Sequence, residues 1–156
     1  DTREKDGCGW FFDSENKRGG KVRILGTQVG TLNAGDYSIV GLEHIVRIER
    51  KNGLSELFGN YTPATNKDRF ERELERMVDI PHKYLIVEDI LSNDLLSLTV
   101  PQMYKGPPGK RVIEWLLGLQ IKYNIHMAFV GNSGKEYTKL LFKNIARQYA
   151  GHFNTS

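Results

Sequence analysis

Four consecutive apolar residues, Tyr84-Leu85-Ile86-Val87, stand between Lys83 and Glu88. So short a run bounded by charge fits a strand at the centre of a sheet, buried on both faces. Such a strand requires helices to cover it, and the neighbouring sequence supplies them. Phe70, Leu74 and Met77 fall at helical spacing within 68–78, with Pro81 as the stop. Val112, Ile113, Trp115, Leu116 and Leu119 form an apolar stripe across 111–123, and Leu140, Leu141 and Ile145 another across 135–149. Residues 125–130 read as a further strand.

The upstream half has a different rhythm. Residues 21–25 and 27–32 read as two short strands split at Gly26, with 33–36 as a turn. A short strand over 37–40 and a stronger one over 44–49, rich in β-branched residues, follow. Leu54, Leu57 and Phe58 then open a helical face, with Asn52 or Ser55 as its cap. Residues 1–20 read as a loop after a strand that lies mostly upstream, anchored by Trp10, Phe11 and Phe12. The order, β-rich and then α-β-α-β-α, predicts an α/β fold with a mixed central β-sheet flanked by helices. One domain over 1–156 is expected, long enough to bury a core. The stretch 91–109, with Pro101, Pro107 and Pro108, is the longest connection, of a length that tends to be functional or mobile.

Composition narrows the function classes. The formal charge is +3, from 22 basic against 19 acidic residues, a mild lean toward a polyanion and no nucleic-acid signature by itself. The single cysteine, Cys8, can form no intrachain disulfide and has no second ligand nearby for a zinc knuckle, which suits a reducing, intracellular compartment. No run of eighteen apolar residues is present, so no membrane span is expected. No cleavable signal is visible, and a chain that begins at Asp1 without methionine reads as trimmed.

One constellation speaks to chemistry. Gly35-Asp36-Tyr37 precedes Ile48-Glu49-Arg50-Lys51, with Asp36 thirteen residues before Glu49. A turn between adjacent strands lets Asp36 approach Glu49, and the two carboxylates can share one divalent cation. Lys51 leaves the strand on the same face as Glu49, because strand side chains alternate. If Ile48 faces the core, Glu49 and Lys51 face the opposite way. Cleaving a phosphodiester requires neutralising charge on the phosphoryl oxygens, activating a water and stabilising the departing oxygen, all within reach of a carboxylate-held metal. Mg²⁺ suits such oxygen ligands. Lys51 would orient the water or offset developing charge.

These residues resemble the signature of the XPF-type structure-specific nuclease domain. The opening Asp1-Thr2-Arg3-Glu4 is similar to the segment that ends the first strand of that family. Residues 69–76 look like the helix after its site, and 84–88 like its next central strand, which often ends in Glu. The resemblance spans essentially the whole chain. It implies a restriction-endonuclease-like fold, a Mg²⁺ or Mn²⁺ requirement and incision of branched, flapped or otherwise distorted DNA, in repair or recombination. Carried over, Asp36 and Glu49 are metal ligands and Lys51 the catalytic lysine. Glu4, and after it Asp1, complete the acidic pocket, and Arg50 supports the site or touches the scissile backbone. The family's acid four residues after the lysine is Ser55 here, and Glu56, one position on, takes its place only if the intervening loop is one residue longer. The family's tandem helix-hairpin-helix module is not found within 1–156, from which the expectation is either that it was removed or that this is a compact form of the kind seen in phages and bacteria. The compartment implied is the cytoplasm of a bacterium or phage-infected cell, or a nucleus.

Two further classes stay open. One is a catalytically inactive DNA-binding or dimerisation scaffold of the same fold, and the other a junction resolvase or restriction-type nuclease. Pairing into a homodimer or heterodimer through the C-terminal helices is expected from Trp115, Leu116, Leu119, Leu140, Leu141 and Phe142, more apolar residues than one sheet face requires. Arg69, Arg72 and Arg76 either face phosphates or pair with Glu71, Glu73 and Glu75. Lys17, Arg18, Lys21 and Arg23 either track a DNA backbone or form a solvated hairpin. His44, His82, His126 and His152 lack metal-ligand spacing, and Gly131-Asn132-Ser133-Gly134 reads as a turn and helix start.

Overall fold

Where the apolar period changes along the chain, the secondary structure changes with it. In the computed structural model, which describes residues 9–15, 24, 26–28, 30–96 and 109–153, three strands alternate with helices. They are β1 (Val46–Lys51), α1 (Leu54–Tyr61), α2 (Ala64–Glu75), β2 (His82–Val87), the short α3 (Asn93–Leu96), α4 (Gly109–Tyr123), β3 (His126–Phe129) and α5 (Gly134–Gln148). A single 3₁₀ turn over Ala150–Phe153 ends the described chain.

The sheet order is β1-β2-β3, and both pairings are parallel, with Ile48 opposite Tyr84 and Tyr84 opposite His126. Parallel neighbours need crossovers, which α1 with α2, and α3 with α4, provide. An isolated antiparallel bridge joins Tyr37 to Ile48 on the outer side of β1, so the two kinds of pairing meet on that strand. Leu85, Ile86 and Val87 are at most 1% exposed, which makes β2 the buried central strand.

Alternation divides the core. Leu85, Val87, Met127 and Phe129 point to one face, where they pack with Leu57, Phe58, Phe70, Leu74, Leu116 and Leu119 of α1, α2 and α4. Ile48, Ile86 and Ala128 point to the other, against Trp10, Phe12 and the α5 residues Leu141 and Phe142. Val46 continues that face with Leu42 and Ile145. Helices therefore cover the sheet on both sides, as the apolar run in β2 demanded.

Several expected elements differ. Within 27–32 the described residues form no strand. Gly26 has φ 141°, and the Thr27 hydroxyl accepts from the Phe12 N–H at 2.7 Å and donates to the Phe12 C=O at 3.0 Å. A side chain there takes the backbone groups that a ladder would use. Residues 37–40 shrink to the Tyr37 bridge, because Ser38 donates its hydroxyl to the Val46 C=O at 2.6 Å and the chain then turns, Leu42 N–H reaching Ile39 C=O. That turn also delays β1 to Val46. Neither Asn52 nor Ser55 caps α1. Gly53 occupies the cap position, and the Leu54 N–H donates to Asp89 Oδ2 at 3.0 Å. Asp1, Glu4, Cys8, Lys17, Arg18, Lys21, Arg23 and the prolines of 101–108 lie outside the described residues.

Candidate functional site

The turn over 33–36 meets the C-terminal half of β1. Gly35 has φ 80°, and a Cβ there would stand 3.2 Å from the Ile48 carbonyl oxygen and 3.4 Å from both Arg47 Cβ and Met77 Sδ. Only glycine allows that close approach in that conformation. Asp36 follows at once, its N–H donating to the Ile48 C=O at 2.7 Å. The Arg50 N–H in turn donates to Asp36 Oδ2 at 2.8 Å. The loop acid is thus stitched to the strand that carries Glu49.

Glu49 and Lys51 leave β1 on the face opposite Ile48, toward α1 and α2, and are 6% and 5% exposed. Lys51 Nζ lies 3.2 Å from Glu49 Oε1 and 3.6 Å from Glu56 Oε1. Its ammonium sits 4.9 Å from the centre of the Phe70 ring. Glu56 reaches this point because it stands in the first turn of α1, where its Oε2 also accepts from the Asn52 N–H at 2.8 Å. That is the return half of a capping box, displaced by one residue. The acid found at 56 and not at 55 therefore does meet the lysine.

The electrostatics follow from burial. Desolvation, then the Asp36 carboxylate, push Glu49 from 4.5 up to about 8, with Lys51 pulling down and Glu73 adding to the rise. Burial pushes the Lys51 ammonium down, but Glu49, Glu56 and Asp36 more than offset it, so its pKa ends above the ordinary lysine value. Lys51 is a cation at neutral pH and no proton acceptor.

Arg50 behaves differently. Its guanidinium leaves the strand on the Ile48 side, where it pairs with Glu88 and lies 4.8 Å from the centre of the Trp10 ring. The period of two that puts Glu49 and Lys51 together keeps the Arg50 side chain away from them. To this site it contributes its backbone N–H, on Asp36.

Two contributors were not legible as site residues. Glu73 of α2, read as a partner for neighbouring arginines, is half-buried and acts on Glu49. Its signal was its register, one turn after Phe70 of α2, which touches Lys51, and one before Met77, just past the helix, which approaches Gly35. Arg47 is buried and bonded to the 33–36 turn. Other residues settle into structural contacts. Glu71 accepts from Trp115 Nε1 at 3.0 Å. His82 bonds the Tyr149 hydroxyl at 2.9 Å, and His126 stacks on Tyr84. Gly134 makes room for Trp10 and Glu88 at the start of α5. Leu116 and Leu119, expected at a dimer contact, are core residues; Trp115, Leu141 and Phe142 pack against the core, and Leu140 alone of that group is exposed.

Among the described residues no group of three His, Cys, Asp or Glu side chains is placed to hold a metal ion. Asp36 and Glu49, whose charges act on each other, would be the carboxylates to hold a hard divalent cation such as Mg²⁺, which binds through one or two carboxylates and keeps several waters.

No protein-family model matches the chain, and no curated protein does. Among solved structures, XPF from Aeropyrum pernix is similar over 77% of this chain and 48% of its own, at 20% identity and a TM-score of 0.49. The chain spans about half the length of that structure. No helix among the described residues is long and apolar enough to cross a membrane.

Proposed function

We propose that the chain is a Mg²⁺- or Mn²⁺-dependent endodeoxyribonuclease that hydrolyses phosphodiester bonds in branched, flapped or otherwise structured DNA. The observation that carries this reading is the meeting of Asp36 and Glu49, close enough to act on each other, beside the buried Lys51 ammonium. The Gly-Asp-Tyr and Glu-Arg-Lys segments supply these groups in the order and spacing that the nuclease resemblance implies. When bound, a divalent cation offsets charge on the phosphoryl oxygens, lowers the pKa of a water and stabilises the departing oxygen.

The chain's own residues divide the remaining work. Asp36 and Glu49 would hold the ion, with Glu4 and Asp1 completing the acidic pocket by the same resemblance. Lys51 offsets negative charge on the phosphate from a fixed position, since Glu49 and Glu56 both hold its ammonium. Glu56 thereby orients the lysine, and the Arg50 N–H orients Asp36.

Labelled flap, fork, four-way junction and plain duplex DNA, each with and without Mg²⁺, test the proposal. Metal-dependent cutting of the branched substrates is expected. Asp36→Asn and Glu49→Gln should abolish it while DNA binding and folding persist; metal-dependent cleavage retained in both variants overturns the reading. A second reading, a non-cleaving DNA-binding scaffold, is favoured by one observation, the near-complete burial of Glu49 and Lys51. Under it a Mn²⁺ titration finds no site that depends on these carboxylates.

A further inference from the structure

Arg47 is a buried cation two residues before Glu49, on the same face of β1 and 8% exposed. Its Nε donates to the Glu43 C=O at 2.6 Å. Its Nη1 donates to Asn33 Oδ1 at 2.8 Å and to the Ala34 C=O at 2.5 Å. One guanidinium therefore ties the strand's entry turn to the two residues before Gly35-Asp36. We propose that Arg47 is a positioning residue, clamping the 33–36 turn onto β1 and so setting where Asp36 stands against Glu49. This rests on the metal-site reading above.

The residue type supports the assignment. Burying a charge is costly unless it is hydrogen-bonded, and an apolar side chain of similar volume would often hold a sheet as well or better. What an aliphatic residue cannot do is link three points at fixed angles, which the planar fork of donors does. Asp36 is fastened from the strand side by its own N–H on Ile48 and by the Arg50 N–H on its carboxylate. Arg47 fastens the turn from behind. Without it, residues 33–35 lose their side-chain anchor, and Asp36 keeps its two bonds only where the turn happens to bring it.

The test uses the full chain as wild type, Arg47→Lys, Asn33→Ala and Glu49→Gln. Arg47→Lys keeps the charge and loses the fork, and Asn33→Ala removes one arm of the clamp at an exposed residue. Both variants are measured by Mn²⁺ calorimetric titration and by the backbone amide NMR signals of Gly35 and Asp36 in the metal-free protein. Both should unfold cooperatively, shift those amides and bind Mn²⁺ about tenfold more weakly, the order of loss when a group that orients a metal ligand is removed. Folded variants with unmoved amides and wild-type affinity overturn the proposal. If Arg47→Lys fails to fold, Asn33→Ala decides alone. If wild type binds no Mn²⁺, or Glu49→Gln binds it as well as wild type, the metal-site reading fails, and the amide signals still report whether Arg47 places Asp36.

Discussion

Removing the charge from Glu49 should stabilise the metal-free protein at high pH and not at low pH. Burial first, and Asp36 second, raise this carboxyl from 4.5 to about 8 in the folded chain. The folded state thus keeps a proton that the unfolded chain has already released, and stability falls as pH rises through that window. At about 1.4 kcal/mol for each pH unit, the loss accumulates to about 5 kcal/mol by the top of the window. For a domain of this size that corresponds to a melting temperature lower by about 10–20 °C. Glu49→Gln carries no proton equilibrium, so its curve should lie above wild type near pH 9. Near pH 5 the two should converge, because Glu49 is then protonated in the folded wild type and both side chains are neutral.

Thermal unfolding followed by circular dichroism in a chelator, at steps from about pH 5 to about pH 9, reads the difference directly. Added Mn²⁺ should restore wild type at the alkaline end and leave Glu49→Gln unmoved, since only the carboxylate gains a counter-charge. Wild-type and variant curves that run parallel over the whole range would refute the argument, and with it the claim that Asp36 and Glu49 repel each other across a desolvated gap.

Gly134→Ala should destabilise by about 1–3 kcal/mol, the usual cost of forcing an atom into filled space. The new Cβ would stand 2.5 Å from the Trp10 ring, which is itself stacked on Tyr37; unchanged urea unfolding, with altered Trp10 fluorescence absent, would contradict the packing. If two copies pair through the C-terminal helices, the exposed Ile121 and Leu117 of α4 or Leu140 and Tyr137 of α5 would supply the contact among the described residues. Sedimentation at micromolar concentration should then give a two-chain mass that Ile121→Glu or Leu140→Glu reduces, and a one-chain wild-type mass counts against pairing.

The fold was legible wherever one periodicity dominated a segment. The run at 84–87 marked β2 as central, and the stripe at 112, 113, 116 and 119 marked α4, because both are buried on the pattern that defines them. Segments whose backbone is satisfied by side chains were not legible. The Thr27 contact to Phe12, the Ser38 contact to Val46 and the Asp89 contact to Leu54 each replace a ladder or a local cap with a partner distant in sequence. The site divides along the same line. Glu49, Lys51 and Asp36 follow from strand alternation plus a turn, both local facts. The placements of Arg47 and Glu73 depend on which loop and which helix come to lie over β1, and no spacing within a single segment encodes that.

The arrangement of β1 explains why fold and site can share six residues without conflict. Val46 and Ile48 spend one face of the strand on apolar packing with α5 and the aromatic anchor. Arg47, Glu49 and Lys51 crowd the other face with ionisable groups, buried where α1 and α2 exclude water. Such a face is costly in isolation. It is tolerable here because each group has a partner of fixed position: carbonyls for Arg47, Glu49 and Glu56 for Lys51, the strand's own N–H for Asp36. Among the described members of this face, Glu49 is the one whose ionised form is disfavoured, by burial first and Asp36 second, although Lys51 stands 3.2 Å away. A divalent cation beside Asp36 and Glu49, as proposed above, would offset that cost.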